Sequence, residues 1–161
     1  MSEVLRELNE SLALFFFCTI SLENKNKLVI DMKNYIYFNP NPKRTRVGDC
    51  TIRAISKVLG KSWEDVYWDL CNEGFDQADM PSSNSVWGRY LRNHGYEKRI
   101  VPDTCPNCYT VSTLAEELPK GRYVFALDGH VVAVVNGCYF DTWDSGNEIP
   151  LYYWQKRSNE S

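Results

Sequence analysis

The sequence predicts an α+β domain, with helices first, a cysteine at the start of the first helix of the body, and an antiparallel sheet last. Three observations carry this. Apolar residues recur at helical spacing in four short stretches between residues 50 and 118. From Arg122 onward the pattern changes to β-branched and aromatic runs. Two junctions in that second half, Asp128-Gly129 and Asn136-Gly137, are turn dipeptides, the latter the strongest short hairpin signal.

The 161 residues fit one domain with a proper core and a short appendage. A formal charge of −3 provides no global field to recruit nucleic acid, and the local run Lys43, Arg44, Arg46 reads as a solvated loop. Six cysteines at irregular spacings do not read as a disulfide framework, which points to a reducing, intracellular setting. Five tryptophans and ten tyrosines suggest a core or cleft rich in amphipathic rings.

At the N-terminus, residues 12–20 include Phe15-Phe16-Phe17. This run is too short to span a bilayer, and Glu3, Glu7 and Glu10 stand where a signal peptide would be basic. Val4, Leu5, Leu8, Leu12, Phe15 and Phe16 instead give a packed amphipathic helix, followed by a short strand at Leu28-Val29-Ile30. Every residue with assignable chemistry lies later, so residues 1–31 read as an accessory segment and 32–161 as the working domain.

Residues 35–38 are extended, and Asn39-Pro40-Asn41-Pro42 is a stiff, non-helical lead-in. Val47-Gly48-Asp49-Cys50 then turns into a helix: Gly48 allows a tight approach, Asp49 is the N-cap, Ile52, Ile55 and Leu59 line one face, and Gly60 stops it. A thiol at a helix start meets unpaired N–H groups and the positive end of the helix dipole, both of which favour thiolate; the plainer alternative is a small buried cysteine.

Ser62 with Asp65 opens a second helix striped by Trp63, Val66, Tyr67, Leu70 and Cys71 and ended by Gly74, which makes Cys71 a core residue. Pro81-Ser82-Ser83 starts a third helix with Val86, Trp87, Tyr90 and Leu91 on one face. His94 falls at its end, as a packing or dipole residue. Residues 97–101 read as a strand. Cys105-Pro106-Asn107-Cys108 is half a zinc site, a redox pair or a tight turn. No second pair is present at matching spacing, so the turn is preferred and no metal or cofactor is expected. Val111, Leu114, Ala115 and Leu118 make a fourth helix, broken at Pro119.

Arg122 to Leu127, His130 to Val135 and residues 138–143 are consecutive strands, and residues 149–154 add another. With Asn136-Gly137 as a two-residue turn, Val135 faces Cys138, Val132 faces Asp141 and His130 faces Trp143. His130, Asp141 and Trp143 then share one face: an imidazole, a carboxylate that can orient it and a ring that can shield both. Asp144 falls on the other face.

A cysteine opening the first helix, a histidine beginning a late strand and an acid on the next strand resemble the papain-like cysteine peptidase fold. Asp141-Thr142-Trp143 resembles its Asn-Ser-Trp element with Asp for Asn, and Gly129-His130-Val131-Val132 resembles its histidine strand. The lead-in from Asn39 through Cys50 is also similar to small uncharacterised proteins of bacteria and their phages. The resemblance covers about residues 35–154. It implies a Cys50–His130–Asp141 site acting on a protein or peptide substrate in a bacterial cytoplasm, as a hydrolase or acyl transferase. The alternative is a non-catalytic module, phage-encoded, that binds a host protein or small molecule in the same cleft. Papain relatives carry a Gln shortly before the cysteine as oxyanion donor; here Gln77 and Gln155 are elsewhere, leaving Asn41, Asn39 and Arg44 as candidates, with Asn41 preferred.

Overall fold

The computed structural model describes residues 34–104 and 106–157. The helix and strand expected within residues 1–31 lie outside the described residues, as does Cys105. The elements run β1 Tyr35–Tyr37, α1 Cys50–Leu59, α2 Trp63–Gln77, α3 Asn84–Asn93, β2 Tyr96–Ile100, α4 Val111–Glu117, β3 Arg122–Leu127, β4 His130–Val135, β5 Cys138–Asp141 and β6 Tyr152–Lys156. This is a mixed α+β fold, with four helices and one six-stranded sheet among the described residues.

The strand order is β1-β5-β4-β3-β6-β2. The four central strands come from the C-terminal third, but both edges come from earlier in the chain. β2 pairs antiparallel with β6, whereas β1 lies parallel to β5, with Tyr35 opposite Tyr139 and Tyr37 opposite Asp141. The C-terminal strands β3 to β6 pair antiparallel as expected, and the parallel β1 edge is an addition to that sheet. A parallel neighbour needs a long crossover, and the whole helical region separates the two strands.

Two rows of side chains show the layering. Phe140, Ala133, Val124 and Trp154 stand opposite one another across β5, β4, β3 and β6. Lys57 of α1 lies 4.1 Å from the Phe140 ring centroid, and Trp87 of α3 packs edge-on against Trp154 at 6.0 Å. Gly88 makes that contact feasible, because a Cβ there would sit 3.0 Å from the Trp154 ring. The alternate row, with Phe125, Val132, Val134 and Tyr139, packs instead on Val111, Leu114 and Ala115 of α4. Helices therefore cover both faces of the sheet.

In α1 the buried residues are Ala54, Ile55 and Val58 together with polar Thr51, Arg53 and Ser56; Ile52 and Leu59 are half-buried. The expected apolar face is shifted because α1 contacts both the sheet and α2. Gly60, at φ 68°, ends it with the left-handed turn expected. Helix α2 is capped by Ser62 accepting from the Asp65 N–H, but it runs past Gly74 to Gln77. Gly74 is a contact point rather than a stop: a Cβ would meet the Asp79 carbonyl oxygen at 2.7 Å. Of its stripe, Val66 and Leu70 are buried, Cys71 and Trp63 half-buried and Tyr67 exposed.

The β4–β5 hairpin has the register expected from its turn: Val135 faces Cys138, Val134 faces Tyr139 and Ala133 faces Phe140. Asn136 and Gly137 both take positive φ, 50° and 81°, which matches the turn to the twist of the strands. Strand β5 stops at Asp141, two residues short of the expected end.

Candidate active site

Cys50 is the first residue of α1 and is half-buried. Its N–H lies beyond the reach of the helix's own hydrogen-bond ladder. Asp49 occupies the N-cap position, but its side chain makes no capping hydrogen bond, contrary to the expected role. Its oxygens are engaged elsewhere: they accept from Arg53 Nη1, from Trp63 Nε1 at 2.9 Å and from Asn41 Nδ2 at 3.2 Å. Gly48 also differs from expectation, since a Cβ there would meet nothing within 4 Å.

His130 opens β4, directly after the Asp128-Gly129 turn, and Asp141 closes β5. The hairpin register places them diagonally, and His130 Nε2 lies 2.6 Å from Asp141 Oδ2. This leaves Nδ1 as the nitrogen available to Cys50, whose thiol is close enough for the imidazole to lower its pKa. The Val131 N–H acts on the sulfur in the same direction.

Asp141 is buried and saturated with donors. Oδ2 accepts from His130 and from Ser145 Oγ at 2.9 Å; Oδ1 accepts from the Thr142 N–H at 2.7 Å and faces Arg53 Nη2 at 3.4 Å. Its carbonyl oxygen accepts the Phe38 N–H at 2.8 Å, which ties the acid to the parallel edge strand. The Trp143 ring leans against His130 at a centroid distance of 5.5 Å, although it is itself 46% exposed. Asp144 points elsewhere, accepting from the Tyr139 hydroxyl and from the Gly146 N–H.

Burial opposes charge at all three groups, and specific partners outweigh it. Burial raises the Cys50 thiol, but the hydrogen bond and positive charge of His130, with the Val131 N–H and the Thr51 side chain, bring it below the ordinary value. Burial lowers His130, but hydrogen bonds and negative charge from Asp141 and Cys50 lift it to about 9. Burial raises Asp141, and the His130 contact with the Ser145 and Thr142 bonds brings it down. The arrangement favours a thiolate–imidazolium pair beside an ionised carboxylate.

The three oxyanion candidates take different places. Asn41 is buried, its amide nitrogen on Asp49 and its oxygen accepting the Lys43 N–H at 2.9 Å. Asn39 is half-buried and accepts the Asn41 N–H at 3.1 Å. Arg44 is exposed, at φ 52° in the turn closed by its N–H on the Asn41 carbonyl. His94 caps α3, with Nδ1 2.9 Å from the Tyr90 carbonyl and its ring 4.2 Å from that of Tyr90. Cys108 is exposed. Among the described residues there is no group of three or more His, Cys, Asp or Glu able to hold a metal ion, and no helix long and apolar enough to cross a membrane.

Two participants escape a motif-based reading. Arg53 stands four residues after Asp49, a spacing that marks a helical ion pair, yet such pairs ordinarily sit in solvent rather than beneath a site. Ser145 follows the hairpin in an irregular turn with no local signal. Comparison of the chain with known protein families, with curated proteins and with solved structures gives no match.

Proposed function

We propose that this chain is a papain-like thiol hydrolase or acyl transferase acting on a peptide, amide or isopeptide bond. The observation that carries the reading is the 2.6 Å bond between His130 and the buried Asp141 carboxylate, with the Cys50 thiol at the start of α1 near enough to be lowered by that imidazole. In the reaction, the Cys50 thiolate attacks the acyl carbon and a C–S bond forms. The His130 imidazolium gives its proton to the departing amine as the C–N bond breaks. Water, or a second amine, then attacks the thioester, its proton passes to His130, and the C–S bond breaks to release the Cys50 thiolate. Asp141 holds the ring with Nδ1 toward the sulfur throughout. The Cys50 N–H, at the positive end of α1, is suited to the oxyanion, with Asn41 the nearest of the upstream amides in the hydrogen-bond network. The reduced thiols of Cys50, Cys71 and Cys108 fit a reducing compartment such as a bacterial cytoplasm.

A second reading has its own support. The Asn41 amide already bonds Asp49, so a site built this way can bind a protein or small molecule without turnover. Acylation separates the two. Incubation with p-nitrophenyl acetate should release nitrophenolate in a burst of one equivalent and add one acetyl group to Cys50. His130→Ala should slow the burst by about a hundredfold or more, the usual scale for loss of a general base. Acetylation spread over several cysteines at equal rates would overturn the enzymatic reading.

A further inference from the structure

We propose that Arg53 is a positioning residue for the Cys50–His130 pair, bridging the carboxylate beside the nucleophile to the carboxylate that orients the imidazole. The proposal rests on the thiol-enzyme reading of the site. Arg53 is 7% exposed, and its guanidinium divides between two partners: Nη1 donates to Asp49 Oδ1 and Nη2 faces Asp141 Oδ1 at 3.4 Å. The two acids are themselves 4% and 2% exposed. Three buried charges thus form one chain from the residue before the nucleophile to the residue behind the base.

That chain has two consequences for the thiol. Asp49 immediately precedes Cys50, so an uncompensated carboxylate there would oppose a thiolate and work against the helix dipole. Arg53 neutralises it from below. The second consequence is rotational. Asp141 Oδ2 takes His130 while Oδ1 is held by the Thr142 N–H and by Arg53, the one charged donor on that oxygen. A planar guanidinium reaches both acids at once; an ammonium is a single point and reaches one.

Other groups around this chain complete the balance. Trp63 of α2 and Asn41 of the preceding loop donate to Asp49. The Tyr35 hydroxyl of β1 donates to the Asp141 carbonyl at 3.4 Å, and Ser145 donates to its carboxylate. Of the titratable groups facing the bridge, Tyr35 is protonated at neutral pH, its value raised by burial and by Asp141. Cys50 and His130 remain as the pair whose ionisation the bridge biases.

The test is the pH dependence of Cys50 alkylation by iodoacetamide in the full-length chain, read by mass spectrometry and run well below each variant's melting temperature. Arg53→Met should raise the midpoint for Cys50 by about one unit, which is about a tenfold loss of rate on the acid limb. Arg53→Lys should recover most of the thermal stability, by keeping the pair with Asp49, yet retain a raised midpoint and a slower plateau rate. A folded Arg53→Lys protein with the wild-type profile would overturn the proposal, and it decides the matter even if Arg53→Met fails to fold. Failure of the underlying reading looks different: wild-type Cys50 would titrate at the ordinary thiol value, which overturns both before any variant is made.

Discussion

Cys50 and His130 shift each other in opposite directions, so their protons must be counted together. Above the lowered thiol value and below about 9, the folded protein holds one proton on the pair, as imidazolium. Between the ordinary values of 6.5 and 9.0 the unfolded chain also holds one, as thiol. Taken alone, a raised histidine stabilises below its unfolded value and loses that contribution as pH rises through about 9. A lowered thiol does the reverse, gaining up to its unfolded value and losing it as pH falls. Where the two ranges overlap the slopes cancel, so stability from this pair is flat there while reactivity is not. Nucleophilic turnover should follow a bell whose alkaline limb lies near 9, where His130 loses its proton, measured as kcat/KM or burst rate against pH. The two acids of the Asp141–Asp144 segment divide in role. Asp141→Ala should abolish most acylation and also destabilise by about 3–5 kcal/mol, because Arg53 loses a buried partner. Asp141→Asn should be milder on both counts, since an amide oxygen still accepts from the ring. Asp144→Ala should leave acylation within about twofold and cost about 1 kcal/mol through Tyr139 and the Gly146 turn. Burst kinetics and thermal melts on the three variants check this.

Elements differ in how plainly they could be read from sequence, and the reason is whether their causes are local. The β4–β5 hairpin was legible because Asn136-Gly137 fixes turn type, turn type fixes register, and register fixes which acid meets His130. The start of α1 at Cys50 was legible from its loop-to-helix pattern. The parallel seat of β1 was not, because nothing in Tyr35–Tyr37 encodes which distant edge it joins. The length of α2 was not legible for a related reason: Gly74 reads as a terminator, whereas its role is set by Asp79 and Pro81 folding back on it. The burial of Arg53 was not legible because helical periodicity assigns a charged residue to solvent, and only the tertiary partner Asp141 explains it. Glycine substitutions test these assignments. Gly74→Ala should lower stability by about 1–3 kcal/mol, as a methyl 2.7 Å from a backbone oxygen forces α2 and the following turn apart. Gly48→Ala, with open space around it, should stay within about 1 kcal/mol of wild type or stabilise. Urea melts on both variants decide the comparison.

At the scale of the whole molecule, the candidate site draws on a helix start and a hairpin far apart in the chain; Arg53 and Asp141 are separated by 88 positions. No short fragment can hold such a constellation, and long-range contacts of this kind form only with the native topology. The depressed thiol is therefore a gauge of foldedness. In the native chain Cys50 should outpace Cys71 toward a limiting alkylator at neutral pH. In the unfolded chain both sulfurs are ordinary thiols in water and should react alike. The labelling ratio ought to collapse in step with circular dichroism as urea is raised. A ratio that falls well before the spectroscopic transition would mean that the hairpin detaches from α1 ahead of global unfolding. The protein thus carries its own reporter: without any added dye or any known substrate, the chemistry of one sulfur atom reads out whether the two halves of the fold are joined.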